Sequence, residues 1–200
     1  MNPVLDLIKH YNRHFGAEAA EVKINNGDAN SKVPSLAICH YKSSDTGLPH
    51  DVLITAGMSL AEMAYPKDYE DERWSTELIL YVEKASDEDM QWMIWLAELP
   101  YFDELVIGHG HSIRFAEALY KNSCLKHFLL LETLIKNDQN LANTLPEPVH
   151  PAKLLWVVPL SDREYELKRK GGFGDLMDVF TEKRHPIALQ RHRRCYLSDA

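Results

Sequence analysis

The sequence predicts an α/β (α+β) fold, a mixed and largely antiparallel sheet with helices packed on it. Three observations point there. Short apolar runs bounded by turn residues recur along the chain and are too brief for helices. Two segments open with capping signatures and continue with helical periodicity. Finally, 45% of the 200 residues are hydrophobic, enough for one sizeable core. No linker, repeat or low-complexity tract divides the chain, so a single domain over residues 1–200 is expected.

The chain opens on a helix. Asn2 can cap it and Pro3 can occupy its first turn, while Leu5, Ile8, Tyr11 and Phe15 recur near one face and Gly16 can close it. Strands follow. Glu21 to Asn25 alternates, and Asn26-Gly27 marks a turn. Ser35 to Tyr41 and Val52 to Ala56 are apolar runs separated by the turn-rich Ser43 to Pro49, which predicts antiparallel pairing. Beyond a polar stretch from Tyr65 to Arg73, Trp74 to Glu83 alternates as a strand with at least one buried face.

The sharpest boundary comes next. Ser86 followed three residues later by Asp89 resembles a capping box, and Asp87 and Glu88 add charge favourable to a helix N-terminus. Met90, Met93, Ile94 and Ala97 form one stripe, widened by Trp92, Trp95, Leu96 and Leu99, and Pro100 is expected to end the helix. Tryptophans at this spacing read as core. Further strands are expected at Glu104 to Ile107, Lys126 to Leu134 and Lys153 to Pro159, the last two too apolar to leave one face wet. Ser161 with Glu164 makes a second capping box, opening a short helix that Gly171-Gly172 ends, and an amphipathic turn follows from Asp175 to Phe180.

Bulk properties narrow the function classes. No apolar run approaches the roughly 20 residues that cross a bilayer, and the first fifteen residues lack the features of a secretory signal, so a cytoplasmic protein without membrane contact is expected. Cys39, Cys124 and Cys195 are odd in number and far apart, fitting neither a disulfide framework nor a Cys-x-x-Cys motif. The net charge of -8 is unevenly spread. Residues 60–104 hold thirteen acidic residues against Lys67, Arg73 and Lys84, a surplus that repels nucleic acid. Residues 163–195 hold nine basic residues against five acidic ones. Arg191, Arg193 and Arg194 crowd a C-terminal basic extension (181–200), which is either a solvated face or a contact for phosphates. No groove-reading motif accompanies it, and no nucleic-acid partner is expected.

Chemistry-bearing motifs are few. In Gly108-His109-Gly110-His111-Ser112, histidines at i and i+2 on an extended segment would point to one side and could share a metal, with His50 or Asp51 supplied from elsewhere. A pair alone leaves the coordination sphere half empty. The alternative is that the glycines permit an unusual backbone path and the imidazoles bond backbone groups. Thr55-Ala56-Gly57-Met58-Ser59 is not a Gly-x-Ser-x-Gly elbow, and it reads as a strand ending in a glycine turn. Gly171-Gly172-Phe173-Gly174 follows a helix, precedes Asp175 and lacks the Lys-Ser/Thr ending of a phosphate loop. Neither a cofactor nor a catalytic residue is assigned.

Taken in order, Thr55 to Ser59, the Glu77 to Leu80 strand, Trp92 with Leu96, Ala97 and Pro100, Gly108 to Ile113, and Pro159-Leu160 with Glu164 and Gly171 or Gly172 resemble the landmarks of the suppressor-of-fused-like domain. They span about residues 50–180. The resemblance implies a mixed α/β domain without known catalytic residues or an obligatory cofactor. Animal members bind a transcription-factor peptide with the help of a second domain that this chain is too short to contain. Bacterial single-domain members are regarded as immunity proteins that neutralise polymorphic toxins.

The expected function is therefore non-enzymatic protein binding, most concretely toxin immunity, with a metal-dependent enzyme centred on His109 and His111 as the alternative. The candidate contact is Asp68, Glu70, Asp71 and Glu72, flanked by Tyr65, Tyr69 and Trp74, because acidic groups interleaved with aromatics suit a basic partner. The competing reading of these seven residues is a solvated loop. Strand addition at a sheet edge is a further mode of binding. Thr55, Gly57, Met58, Ser59, Gly108, His109, Gly110 and His111 are family-motif positions without an assigned role.

Overall fold

The computed structural model describes residues 2–25, 33, 35–61, 63, 75–146 and 152–197. Helix α1 (Pro3–Phe15) starts as its sequence dictates. The Asn2 side chain accepts from the amides of Val4 and Leu5, Pro3 sits in the first turn, and Gly16 ends the helix at φ +67°. Its buried face is Val4, Leu7, Tyr11 and Phe15. Leu5, which the spacing placed on that face, is instead exposed.

Strands β1 (Glu21–Asn25) and β2 (Leu36–Tyr41) follow, then a single helical turn, α2 (Ser43–Thr46), inside the turn-rich stretch, then β3 (Asp51–Ala56) and β4 (Ser75–Val82). Helix α3 (Asp87–Phe102) precedes β5 (Ser112–Arg114), β6 (Leu125–Glu132), α4 (Lys136–Ala142) and β7 (Ala152–Ser161), and α5 (Asp162–Gly171) and α6 (Phe173–Glu182) complete the order. The seven strands form one sheet in the order β1-β2-β3-β4-β7-β6-β5. Only β4 and β7 run parallel, so the sheet is mixed and largely antiparallel.

Two apolar layers sandwich the sheet. On one face, Leu36, Ile38, Leu53, Leu78, Leu80, Phe128, Leu130 and Val157 pack under Met90, Met93, Ile94 and Ala97 of α3. On the other, Ala37, Cys39, Val52, Ile54, Ile79, Leu129, Trp156 and Val158 pack under α1, Leu141 of α4 and Leu176 and Phe180 of α6. Alternate residues of one strand thus enter opposite cores, which is why β6 and β7 read as continuous apolar runs. Each fully buried Leu, Ile or Phe contributes about 1.5–3 kcal/mol.

Two sequence expectations are corrected here, the helix end at Pro100 and the strand at Glu104 to Ile107. Pro100 does not end α3, which runs on to Phe102. The helix closes in a Schellman-like turn, with Glu104 at φ +51° and the Leu105 amide donating to the Pro100 carbonyl at 2.9 Å. Glu104 to Ile107 is consequently a helix exit and not a strand. The strand in this region is the short β5, pairing with β6 from Ser112 to Arg114. Helix α4 was unforeseen, being a short polar segment whose helicity depends on burying Leu141. Both capping boxes form as read, Ser86 with Asp89 and Ser161 with Glu164.

Pro159 lies within β7, where a sheet interior normally excludes proline. The pairing of β4 with β7 extends only as far as Ile79 and Trp156, so β7 faces a fork at Pro159. The C-terminal segment fills that fork. Leu189 bridges to Val82 of β4 and donates to the Tyr81 carbonyl at 2.8 Å, and Arg193 Nη2 donates to the Pro159 carbonyl at 2.9 Å.

Candidate functional site

The landmark residues gather at three places, and the first is built around Glu77. The alternation of β4 turns this carboxylate inward, where it is fully buried. The chain leaving β3 wraps around it. Thr55 Oγ1 donates to one carboxyl oxygen at 2.5 Å, while the amides of Gly57 and Ser59 donate to the other at 3.0 and 3.1 Å, joined by the Ser59 hydroxyl. Gly57 is required because φ is +111° and an added Cβ would meet Val4 Cγ2 at 3.0 Å and the Ser35 carbonyl at 3.1 Å. Burial pushes the Glu77 carboxyl above its usual range, although Ser59, Thr55 and Gly57 pull the other way. Ser59 is thereby committed to a carboxylate that holds the turn. Met58 adds its buried side chain to the core, and its carbonyl accepts from the Tyr101 hydroxyl of α3 at 2.7 Å.

The second place is the Gly108 to His111 segment. It is a turn and not extended, which removes the geometric reason for the imidazoles to face one ion. The His111 amide donates to the Gly108 carbonyl at 3.1 Å, and Gly110 takes φ +81°. The Gly110 amide donates to the Leu130 carbonyl at 2.7 Å, which ties the turn to β6. His109 Nδ1 accepts from the Glu132 amide at 2.9 Å, and its ring meets Phe173 edge-on. His111 Nδ1 bonds the Val106 carbonyl at 3.1 Å. Each histidine therefore serves backbone groups of its own neighbourhood. Asp51, the imagined further ligand, bonds His40 Nε2 at 2.9 Å and the amides of Ser43 and Ala85. Burial alone would raise its carboxyl, but these donors bring it to about 2. The His50 ring is buried edge-on to Tyr81, at 5.2 Å. Among the described residues no three His, Cys, Asp or Glu side chains converge as a metal would require.

The third place joins the capping boxes to the C-terminal segment. Glu164 is fully buried and accepts from Arg193 through both oxygens at 2.6 Å, from the Ser161 amide at 2.9 Å and from the Tyr196 amide at 3.0 Å. Burial works against its ionisation, yet Arg193 outweighs burial and holds the carboxyl below its usual range. Arg191 pairs with the buried Asp89 at the start of α3, and also donates to the Lys84 carbonyl. Two of the three terminal arginines are therefore neither a solvated face nor a phosphate contact. Sequence reasoning missed both pairs because their members lie 29 and 102 positions apart.

Asp68, Glu70, Asp71 and Glu72, with Tyr65, Tyr69 and Trp74, lie outside the described residues, as does the Asn26-Gly27 turn. The sheet order places β1 and β5 at the two edges. No helix among the described residues is long and apolar enough to cross a membrane.

These features define an α/β domain whose landmark charges clamp its own backbone. The model of the suppressor of fused protein (SUFU) family matches residues 32–194, and the chain belongs to that family. The match runs past the expected landmarks to include Arg191 and Arg193. Three solved structures share the fold. A protein described as a SUFU homolog from Neisseria gonorrhoeae FA 1090 is 12% identical, with 98% of this chain and 97% of that one covered and a TM-score of 0.68. A chain of the Sufu–Fu complex is 13% identical, covering 97% and 92%, with a TM-score of 0.61. Drosophila Suppressor of Fused is 12% identical with a TM-score of 0.57, and this chain, covered over 97%, spans 51% of it. No curated protein matches the chain.

Proposed function

We propose that this domain works by binding another protein, making and breaking no bond itself, and that its most concrete role is immunity, the neutralisation of a bacterial toxin in the cytoplasm. The observation that carries the reading is membership of the SUFU family, with one of the similar structures drawn from the Sufu–Fu complex. The geometry adds support. Glu77, Ser59, Glu164, His109 and His111 are each engaged in holding the backbone, which leaves the exterior as the working part of the molecule.

A toxin that cleaves nucleic acid presents a basic active site, and an acidic inhibitor both speeds encounter and excludes the substrate. The acidic residues between 60 and 104, apart from the buried Glu77 and Asp89, suit that task, and Asp68, Glu70, Asp71 and Glu72 with Tyr65, Tyr69 and Trp74 are its proposed first contact. The test is purification of the tagged full chain from its native host. Recovery of one stable partner, toxic alone and harmless when co-expressed with this chain, supports the reading. Recovery of no partner, together with stoichiometric zinc, manganese or iron and hydrolysis of a small substrate, overturns it in favour of an enzyme at His109 and His111.

A further inference from the structure

The outer side of α3 differs from the rest of the described surface. Trp95 and Phe102 are 38% and 49% exposed, and Leu105, just past the helix, is 46% exposed. Seven residues is close to two full helical turns, so Trp95 and Phe102 lie on one stripe, about 10 Å apart. The other exposed large apolar side chains, Leu5, Ile24, Leu48, Leu134 and Ile187, are scattered over separate segments. Scattered single residues need no explanation, whereas a stripe on one helix does.

Trp95 is also held rigidly. Its ring meets Phe115 at 4.8 Å and Trp92 at 6.3 Å, and those two rings in turn contact the buried Phe128 at 5.7 and 5.6 Å. Trp92 Nε1 donates to the Leu119 carbonyl at 3.0 Å, fixing the stack. A pre-ordered aromatic loses little entropy on binding and makes a strong anchor.

The surroundings choose the partner. Between Lys84 and Arg114 the chain has six acidic residues and no Lys or Arg. Arg191 pairs with Asp89 and also feels the charge of Glu88, both at the far end of the helix from Phe102. Glu88 near the start of the stripe and Asp103 and Glu104 beside Phe102 and Leu105 are exposed. Two copies of such a face repel, which disfavours self-association, and nucleic acid is repelled equally.

From apolar anchors set in an acidic rim, we infer that the Trp95–Phe102 stripe of α3, with Leu105 just past its end, is the contact surface for a basic protein segment bearing large apolar side chains. This rests on the protein-binding reading and specifies where binding occurs and what it recognises. The test replaces Phe102 with a photoreactive benzoylphenylalanine in the full chain, with the same replacement at Lys9 and at Asp178 on the opposite layer as controls. Irradiation in the native host is expected to crosslink position 102 to one protein through a segment rich in Lys or Arg. With that protein purified, Trp95→Ala is expected to weaken binding about 30-fold or more. Asp103→Lys with Glu104→Lys is expected to slow association about 10-fold at low salt. Circular dichroism should show both variants folded. Crosslinks only from Lys9 or Asp178, a crosslink from position 102 to a second copy of this chain, or unchanged binding by the folded variants overturns the assignment while leaving the protein-binding reading in place. Absence of crosslinks at all three positions overturns the assignment, whereas the protein-binding reading falls only if purification from the native host also recovers no partner.

Discussion

Glu77 and Glu164 are both fully buried, yet the two regions around them treat a carboxylate in opposite ways. Around Glu77 the partners are neutral, namely two hydroxyls and two backbone amides from one turn, and burial dominates, favouring the protonated form. Around Glu164 a guanidinium 29 positions further along the chain outweighs burial and favours the charge. Short-range donors can position a loop without a counter-ion, whereas tying down a distant segment is achieved here by an ion pair. Removing one partner of such a pair strands the other in a dry environment, so the two sites should respond differently to the same substitution.

The largest expected effect is at the ion pair. Arg193→Ala should destabilise the domain by about 3–5 kcal/mol in urea unfolding, because Glu164 is left charged and buried. A loss below about 1 kcal/mol would mean that the C-terminal segment contributes little to the fold.

The next effect is an asymmetry between identical exchanges. Glu77→Gln retains an oxygen for the Gly57 and Ser59 amides, and its amide can donate to Thr55 Oγ1, so its loss should stay near about 1 kcal/mol. Glu164→Gln removes the charge facing Arg193 and should cost clearly more. Equal losses would erase the distinction.

Acidity should separate the sites as well. Glu164 binds its proton more weakly when folded than when unfolded, so its contribution is present above the unfolded value and fades as pH falls through the depressed folded value. His185, stacked on Phe180 at 4.0 Å, is lowered to about 4 by burial and by the charge of Arg193. The unfolded chain therefore takes up that proton first, and stability falls as pH drops from about 6.5 towards 4. Glu77 has the reverse sign. Its folded state holds the proton more tightly, giving stability below the unfolded value that fades as pH rises through the raised folded one. The protection of the Leu189 amide, taken relative to the intrinsic exchange rate at each pH, should fall from pH 7 to pH 4 through opening of the C-terminal segment while that of the Gly57 amide holds. Parallel behaviour of the two amides would refute independent clamps.

The smallest effect concerns the α3 exit. Glu104 occupies φ +51°, a conformation that favours glycine, so Glu104→Gly should raise stability by up to about 1 kcal/mol in thermal unfolding. A decrease would show that the Glu104 side chain contributes more than its backbone strain costs.

Local signals were legible wherever a few adjacent residues decide the outcome. The Asn2 cap, both capping boxes, the glycine end of α1 and the alternation of β4 all formed as their residues indicated. Pro100 misled because a proline in a last turn can be absorbed when the exit adopts a Schellman-like path, and that path required the unpromising Glu104. At the candidate site, Thr55 to Ser59 and Glu77 were visible as separate landmarks but their meeting was not, since it depends on β3 pairing with β4.

Sequence by itself determined the strand-rich α/β class, the helix starts and the acidic surplus between 60 and 104, because propensity, capping and charge act within a turn or two of the chain. Tertiary structure alone decided that Arg191 and Arg193 close the fork beside β7, that His109 and His111 serve the backbone, and that Trp95 faces outward on a helix whose other side is core. Those outcomes depend on which distant groups come within hydrogen-bond reach and which side of an element is left uncovered, and both are set only once the sheet has assembled.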